Sequence, residues 1–363
     1  MEEGRWRLLM ARSYIYGVIP TGQSLAFGLC GFPPRPEEVR SVAHGGLGCV
    51  VSNYSGEDFT CLPKETLLHC LMAHQEVVER VMQAFPVLPV KFGTLVESDA
   101  EVQRLMEQGH RIFSEALTRL DSKVEMEVAA TWDLKRVLGE IGQADEIVRL
   151  RESIAGRPAA EVLEVQIQAG KIVKESLDRR REEFQQRLLG SLRGAALDVQ
   201  PNVLVADEMV MNAAFLIQTE REAEFDERVR ELDEALNGEV SFRIIGPLPP
   251  YSFATVEVAR PSVKKLEEAR RLLGLGANVS QGEVKQAYRR LAAQTHPDAR
   301  GENGQGEEGF VRVREAYDLV NAYCRGQEDG DAVVTGERRF SLAPEDVSQA
   351  FLVNLRRATG EAV

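Results

Sequence analysis

The apolar residues of this sequence occur in short groups, and this pattern limits the possible folds more than any other feature. The longest runs, such as those at 45–51 and 85–90, fall far short of the roughly 20 residues that span a bilayer. The chain has 363 residues, which is more than one hydrophobic core usually organises. We therefore expect two or three globular domains and no membrane-spanning segment.

The composition is that of an ordinary folded protein. Hydrophobic residues make up 44% and charged residues 28% of the chain, which excludes a largely disordered protein. The net charge of −13 opposes nucleic-acid binding by the whole chain, because phosphate recognition depends on Lys and Arg. The first residues mix charges with few apolar side chains and lack a signal-peptide pattern, so we expect a cytoplasmic protein.

The sequence predicts no metal site, cofactor site or enzyme active site. Its five cysteines are scattered and lack zinc-site spacing, so we expect them to pack as small apolar side chains. His69 and His74 are five residues apart and do not share a helical face. Phosphate-loop, dinucleotide-binding and zinc-protease motifs are missing.

The first 135 residues alternate strand and helix patterns. The apolar spacing at 63–85 and at 99–120 predicts two amphipathic helices. Segments rich in Val, Ile and Tyr or with alternating apolar residues predict strands, and they lie at 13–19, 48–53, 86–96 and 123–129. We expect a small α+β domain at 1–135 with helices on one face of its sheet.

The remaining chain divides into four segments. A one-sided apolar stripe over 158–192 predicts a helical hairpin at 136–200. A second small α+β unit at 201–261 has one helical pattern at 220–236 and strand patterns at 203–205, 210–217, 240–245 and 253–259. An all-α, three-helix domain follows at 262–326. A polar linker and one amphipathic helix, over 344–357, fill 327–363. We expect both α+β units to be ferredoxin-like.

Four segments together resemble the GvpF/GvpL gas vesicle proteins over about residues 13–260. They occur in the family's order at 14–19, 74–82, 86–94 and 246–253. Leu248 stands where the family usually has Trp. The resemblance implies a cytoplasmic accessory protein that contacts the very hydrophobic gas vesicle shell protein and other gas vesicle proteins. Because exposed apolar subunits aggregate unless they are shielded, such a factor would help to build the vesicle.

The last of these segments is rich in proline. Pro247, Pro249 and Pro250 fix their backbone φ angles and cannot donate backbone hydrogen bonds. We therefore expect the segment to lie at a sheet edge or in a turn.

Helix signals after residue 262 define the third domain. Gly274 is placed to end the first helix, and Ser280 with Glu283 has the S-x-x-E pattern of a capping box that begins the second. Lys285 and Arg289 lie one turn apart, with Arg290 beside them. Such a positive patch suits an acidic partner surface.

Three helices with His-Pro-Asp after the second resemble the J-domain of DnaJ-type co-chaperones. The resemblance implies docking on a DnaK-type chaperone and stimulation of its ATP hydrolysis. The basic residues would attract the chaperone and the tripeptide would engage the site that triggers hydrolysis. The six chaperone-binding residues are Lys285, Arg289, Arg290, His296, Pro297 and Asp298. The loop at 299–309 has three glutamates and one arginine, which would weaken the positive field near the tripeptide.

The sequence thus predicts a gas vesicle assembly protein that binds shell protein or assembly intermediates and recruits a DnaK-type chaperone. Two alternatives stay open: a general J-domain co-chaperone with another client, and a minor structural component attached to the gas vesicle. The predicted protein is not an enzyme and binds neither nucleic acid nor membrane. It is cytoplasmic, with association with gas vesicles left open.

Overall fold

The computed structural model describes residues 12–33, 36–295, 305–327 and 338–357. The chain forms two compact units. The first combines the residues up to Asp121 with Ala254–Arg357, and the second is Ser122–Phe253. Strands and helices are mixed throughout, which confirms the α+β class. The ferredoxin-like detail stays a prediction.

A six-stranded sheet organises residues 12–121. Its strands are β1 (Arg12–Ile19), β2 (Ala26–Leu29), β3 (Glu38–His44), β4 (Leu47–Tyr54), β5 (Leu88–Pro89) and β6 (Leu95–Val96). The order is β2-β3-β4-β1-β5, with β6 also pairing with β1. Strand β1 is buried along its whole length after Arg12, as expected for the apolar strand near the middle of a sheet.

Three helices accompany this sheet: α1 (Lys64–Met82), α2 (Asp99–Gln108) and α3 (His110–Leu120). The single helix predicted over 99–120 is therefore wrong. The break is at Gly109, where a Cβ atom would lie 2.6 Å from the ring of the buried Phe113. The strand predicted over 86–96 is also only partly correct, because β5 and β6 are separated by a turn in which Gly93 has φ +86°.

An aromatic cluster fills the core of this part of the first unit. The hydroxyl of Tyr14 lies 2.8 Å from Nδ1 of His74 and accepts a hydrogen bond from the Gly93 amide. The Tyr14 ring packs edge-on against Phe32 and Phe59. Burial lowers the pKa of His74 to about 4, so this histidine is a neutral core residue at physiological pH.

The second unit has a four-stranded antiparallel sheet in the order β10-β7-β9-β8. Its strands are β7 (Lys123–Trp132), β8 (Asp198–Pro201), β9 (Met209–Gln218) and β10 (Val240–Leu248). Its helices are α4 (Leu134–Ile141), α5 (Asp145–Ser153), α6 (Ala159–Arg193) and α7 (Glu222–Leu236). The expected hairpin is thus two short helices and one long helix. The strand expected at 203–205 is wrong, since these residues form an exposed loop.

The remaining described residues complete the first unit. They form β11 (Thr255–Ala259), α8 (Val263–Leu273), β12 (Asn278–Ser280), α9 (Gln281–Thr295), α10 (Gln305–Gly326), β13 (Arg339–Ser341), α11 (Pro344–Gln349) and β14 (Leu352–Arg356). Strand β11 pairs with β14, and β12 pairs with β13.

The helix predicted over 344–357 is wrong, because α11 ends at Gln349 and β14 follows. The apolar residues Val347, Phe351 and Leu355 are four positions apart, and this spacing is the reason that a helix was predicted. In β14, Val353 and Leu355 are buried while their neighbours are more exposed, which is the alternation of a strand.

The proline-rich segment behaves as predicted. Strand β10 is the edge of its sheet and ends at Leu248. A turn follows, closed by a hydrogen bond from the Phe253 amide to the Pro250 carbonyl at 3.1 Å. The turn is held by Glu125, a β7 residue that is 1% exposed. Its carboxylate accepts hydrogen bonds from the Ser252 amide at 2.8 Å and from the Ser252 hydroxyl at 2.7 Å. Burial raises the pKa of Glu125 from 4.5 to about 7.

This raised pKa predicts a pH-dependent stability of the second unit. The folded state holds the Glu125 proton more tightly than the unfolded state, so the stabilisation is complete at low pH and is lost as pH rises through about 7. We expect Glu125→Gln to be more stable than the wild type by roughly 2–3 kcal/mol near pH 8, and similar to it near pH 4. Urea unfolding at several pH values measures both.

Glu208→Gln, a change of the same type at an exposed position of the same unit, is the matched control. Its stability should follow the wild-type pH profile closely. Equal destabilisation of Glu125→Gln at low and high pH would contradict the prediction, because it would mean that the amide cannot replace the protonated carboxyl.

Candidate functional site

The three predicted helices of the third domain are present as α8, α9 and α10. Their shared core is apolar and includes Leu266, Leu273, Val284, Val313 and Val320, each at most 4% exposed. The rings of Tyr288 and Tyr317 stack at 4.4 Å between α9 and α10. This packing fixes which face of α9 is buried and which is left to solvent.

The ends of α8 and α9 confirm the capping predictions. Gly274 has φ +65°, its amide donates to Arg271, and the Leu275 amide donates to Arg270 at 2.9 Å. This pair of bonds is a Schellman motif. The motif needs a left-handed backbone conformation at position 274, which glycine adopts without steric cost.

The capping box of α9 is complete. The Glu283 amide donates to the Ser280 hydroxyl at 3.2 Å, and the Ser280 amide donates to the Glu283 carboxylate at 2.8 Å. The carboxylate also pairs with Arg339 at 3.0 Å. The Ser280 amide, helped by Arg339, lowers the pKa of Glu283, so this cap is fully charged at neutral pH.

The three basic residues predicted to bind a chaperone lie on the exposed side of α9. Lys285, Arg289 and Arg290 are all exposed, and neither Lys285 nor Arg289 forms an ion pair with another described residue. Arg290 also donates to the Leu273 carbonyl at 3.5 Å, so it contacts the end of α8 as well. The described helix α9 carries three basic side chains against one acidic side chain, Glu283, and its surface is therefore positive.

His296, Pro297 and Asp298 lie outside the described residues. Helix α9 ends at Thr295, directly before them in sequence. The structure therefore brings together three of the six predicted binding residues and leaves the role of all six as a prediction.

An exposed apolar face on α1 was missed by the sequence analysis. Leu68, Leu71 and Met72 are 56%, 40% and 61% exposed, while the opposite side of the helix is buried through Cys70, Val77 and Val78. The three residues have i, i+3, i+4 spacing and so form one patch. This spacing was visible in the sequence, but it equally fits a buried stripe.

Three cysteines, Cys49, Cys70 and Cys324, are buried as expected, whereas Cys61 is exposed and Cys30 is partly exposed. Across the described ranges, no three His, Cys, Asp or Glu side chains are grouped to hold a metal ion. Among the described helices, none is both long and apolar enough to cross a membrane.

Comparison with known proteins gives two family matches. The family described as "Gas vesicle synthesis protein GvpL/GvpF" matches residues 12–255, and the "DnaJ domain" matches residues 271–323. The first is a structural family and the second is a co-chaperone module, and neither is an enzyme family. The two matches confirm the predicted fusion.

Individual relatives agree with these matches. The chain is 30% identical to gas vesicle protein F of Streptomyces sp. (strain CB03234) over 243 residues, which are 66% of this chain and 98% of the relative. It is 30% identical to gas vesicle protein L of the same organism, over 70% of this chain and 94% of that protein. The chaperone protein DnaJ of Caldicellulosiruptor saccharolyticus is 48% identical over 50 residues, 14% of this chain and 13% of that protein.

A solved structure supports the fold. The crystal structure of the gas vesicle protein GvpF from Anabaena sp. PCC7120 superposes with a TM-score of 0.56 at 23% identity. The match covers 67% of this chain and 97% of that chain.

The capping box predicts that α9 depends on Ser280. We expect Ser280→Ala to destabilise the three-helix domain by about 1 kcal/mol, because the Glu283 amide loses its partner. Hydrogen exchange of the α9 amides measures this loss locally. Gln286→Ala, an exposed change in the same helix, is the control and should leave protection within about 0.5 kcal/mol of the wild type. Equal protection in both variants would contradict the prediction.

Proposed function

This chain belongs to the GvpL/GvpF family of gas vesicle synthesis proteins, and we propose that it assists vesicle assembly by recruiting a DnaK-type chaperone to the shell protein. One observation carries the proposal: a GvpL/GvpF region is joined in the same chain to a DnaJ domain whose second helix presents an exposed positive face. The first part supplies the connection to gas vesicles, and the second supplies the connection to a chaperone.

The chaperone would dock on α9. Lys285 and Arg289 are exposed and are not neutralised by described acidic neighbours, so their charge is available to an acidic surface. Arg290 would contribute its charge while it also holds the end of α8. Charges of this kind accelerate encounter more than they add affinity. His296, Pro297 and Asp298 would then contact the site that triggers ATP hydrolysis.

The client would be the hydrophobic shell protein or an assembly intermediate. The exposed patch of Leu68, Leu71 and Met72 on α1 is a surface on which an apolar segment could be shielded from water. A client held by the GvpL/GvpF region would meet the chaperone at a high effective concentration, because both are bound to one chain. The GvpL/GvpF region thereby selects the client and the DnaJ domain supplies the chaperone.

In this proposal the protein is not itself an enzyme. The hydrolysed ATP is bound by the chaperone, and this chain contributes only contacts. It acts in the cytoplasm, on or near growing gas vesicles, with shell protein, other gas vesicle proteins and the chaperone as partners.

We expect the wild-type protein to raise the steady-state ATPase rate of a DnaK-type chaperone and His296→Gln to lose this effect. Vesicle yield in cells should fall with the same variant, while the purified variant still binds shell protein. Normal stimulation by His296→Gln, or normal vesicles in cells that carry only this variant, would contradict the proposal.

Charge reversal on α9 tests the docking surface separately. Lys285→Glu with Arg289→Glu should slow chaperone association on the order of tenfold or more, and added salt should no longer slow it further. The matched control is Lys264→Glu with Lys265→Glu, which makes the same charge change at exposed positions on α8. An equal effect of both pairs would mean that net charge, and not the α9 face, controls binding.

The identity of the client distinguishes the two alternatives. Proteins that co-purify from vesicle-producing cells should include the shell protein. A wide range of unrelated clients without vesicle proteins would favour a general co-chaperone. Retention on isolated vesicles through a urea wash, as firm as that of the shell itself, would favour a structural component.

A further inference from the structure

The residues that follow α10 return to the three-helix domain and become part of its core. We call described residues 338–357 the clamp and residues 12–121 the front domain. Four clamp side chains, Phe340, Leu342, Val347 and Ala350, are at most 5% exposed within the core formed by α8, α9 and α10. Strand β13 pairs with β12 between α8 and α9, and Arg339 pairs with Glu283 of the α9 cap. One side of the clamp is therefore integral to the DnaJ domain.

The other side of the clamp is connected to the front domain by backbone pairing. Strand β14 pairs along its length with β11. Strand β11 in turn forms a parallel bridge between Val256 and Val90, and the Lys91 amide donates to the Val256 carbonyl at 2.9 Å. Glu257 of β11 pairs with Lys91 of the front domain at 2.6 Å and with Arg356 of the clamp at 3.0 Å. The front domain is thus joined to β11 by one backbone bridge, and β11 is joined to the clamp by a ladder along β14.

Helix α2 of the front domain adds a second set of contacts. Its residues Glu101, Arg104 and Gln108 lie on one face, and each contacts either Arg260 or the clamp. Arg104 donates to Gln349 at 2.6 Å, and the Phe351 amide donates to Gln108 at 2.8 Å.

Arg260, which directly follows β11, connects α2 to the clamp. It pairs with Glu101, donates to the Ser348 carbonyl at 3.2 Å, and lies 4.7 Å above the Phe351 ring. Phe351 is 1% exposed, so a buried aromatic ring lies among these polar contacts. Such an arrangement resists sliding, because movement would expose the buried Phe351 ring and break the hydrogen bonds around it.

We propose that the clamp is a positioning element, which holds the DnaJ domain in one orientation on the front domain so that a chaperone bound to α9 reaches the client at a fixed place. This inference rests on the function proposed above. A flexible tether would only keep the chaperone and the client close together, whereas the clamp also fixes the orientation of the DnaJ domain. The exposed Lys285 and Arg289 take no part in the clamp contacts, so docking of the chaperone does not require the clamp to open.

The first measurement is the distance between spin labels in the full-length protein. Labels at Thr118→Cys on α3 and Gln286→Cys on α9 occupy exposed positions in the two parts, with Cys30 and Cys61 replaced by Ser. The wild-type background should give a single narrow distance. The loosened variant, Arg260→Ala with Leu355→Asp, should lose it because β14 no longer packs on β11. Glu345→Ala, an exposed change in the clamp, is the control and should keep it.

The second measurement compares chaperone stimulation with vesicle yield for the same variants. The loosened variant should stimulate the chaperone ATPase as the wild type does, since β12, β13 and α9 are unchanged, but its vesicle yield should be lost. A locked variant, Val258→Cys with Val353→Cys at directly opposed positions of β11 and β14, is purified with Cys30 and Cys61 replaced by Ser and oxidised with diamide, because thiols stay reduced in the cytoplasm. The disulfide should leave stimulation of the chaperone ATPase at the wild-type level.

Several outcomes would overturn the positioning role. A broad distance distribution in the wild-type background would do so, as would normal vesicles from the loosened variant. Loss of ATPase stimulation on disulfide locking would mean that the clamp must open. Loss of ATPase stimulation on loosening would make the clamp only a part of the domain's fold. The distance measurement requires no chaperone. A single narrow distance together with normal vesicles from His296→Gln would therefore refute the proposed function while the fixed orientation stands.

Discussion

The first compact unit depends on strand β11, which pairs on both of its sides. Val256 bridges to Val90 of the front domain on one side, and the strand forms a ladder with β14 on the other. Val256 is fully buried, so its backbone groups must find partners within the protein. Because these partners come from two distant parts of the chain, the front domain and the DnaJ domain share one hydrogen-bonded structure.

Local signals in the sequence predicted the elements whose structure is set locally. The capping box of Ser280 and Glu283, the glycine ending at Gly274 and the edge position of the proline-rich segment follow from interactions within a few residues, and the structure has all three. The two family resemblances were likewise carried by short, specific motifs. The basic positions on α9 were correctly placed on an exposed face because helical spacing fixes the direction of a side chain.

The errors have a different physical origin. Strands β12, β13 and β14 are three to five residues long, and their pairing depends on partners that the local sequence does not reveal. Residues 344–357 are an example. Their apolar residues recur every four positions, which suits a helix, but the pairing of Val353 with Val258 makes the second half of the segment a strand. The break at Gly109 depends on the position of the Phe113 ring. The clamp was predicted as the end of a linker and one helix, because the contacts that bury it come from distant parts of the chain.

The discontinuity of the first unit has a consequence for synthesis of the protein. The front domain leaves the ribosome well before β11, and the partners Arg104 and Gln349 are 245 residues apart. Contacts so distant in sequence form late, because the intervening chain must be made and closed first. The nascent front domain therefore exists for a time with the polar face of α2 and the Val90 edge uncovered. The emerging chain is therefore open to incorrect contacts until β11 and the clamp have been made.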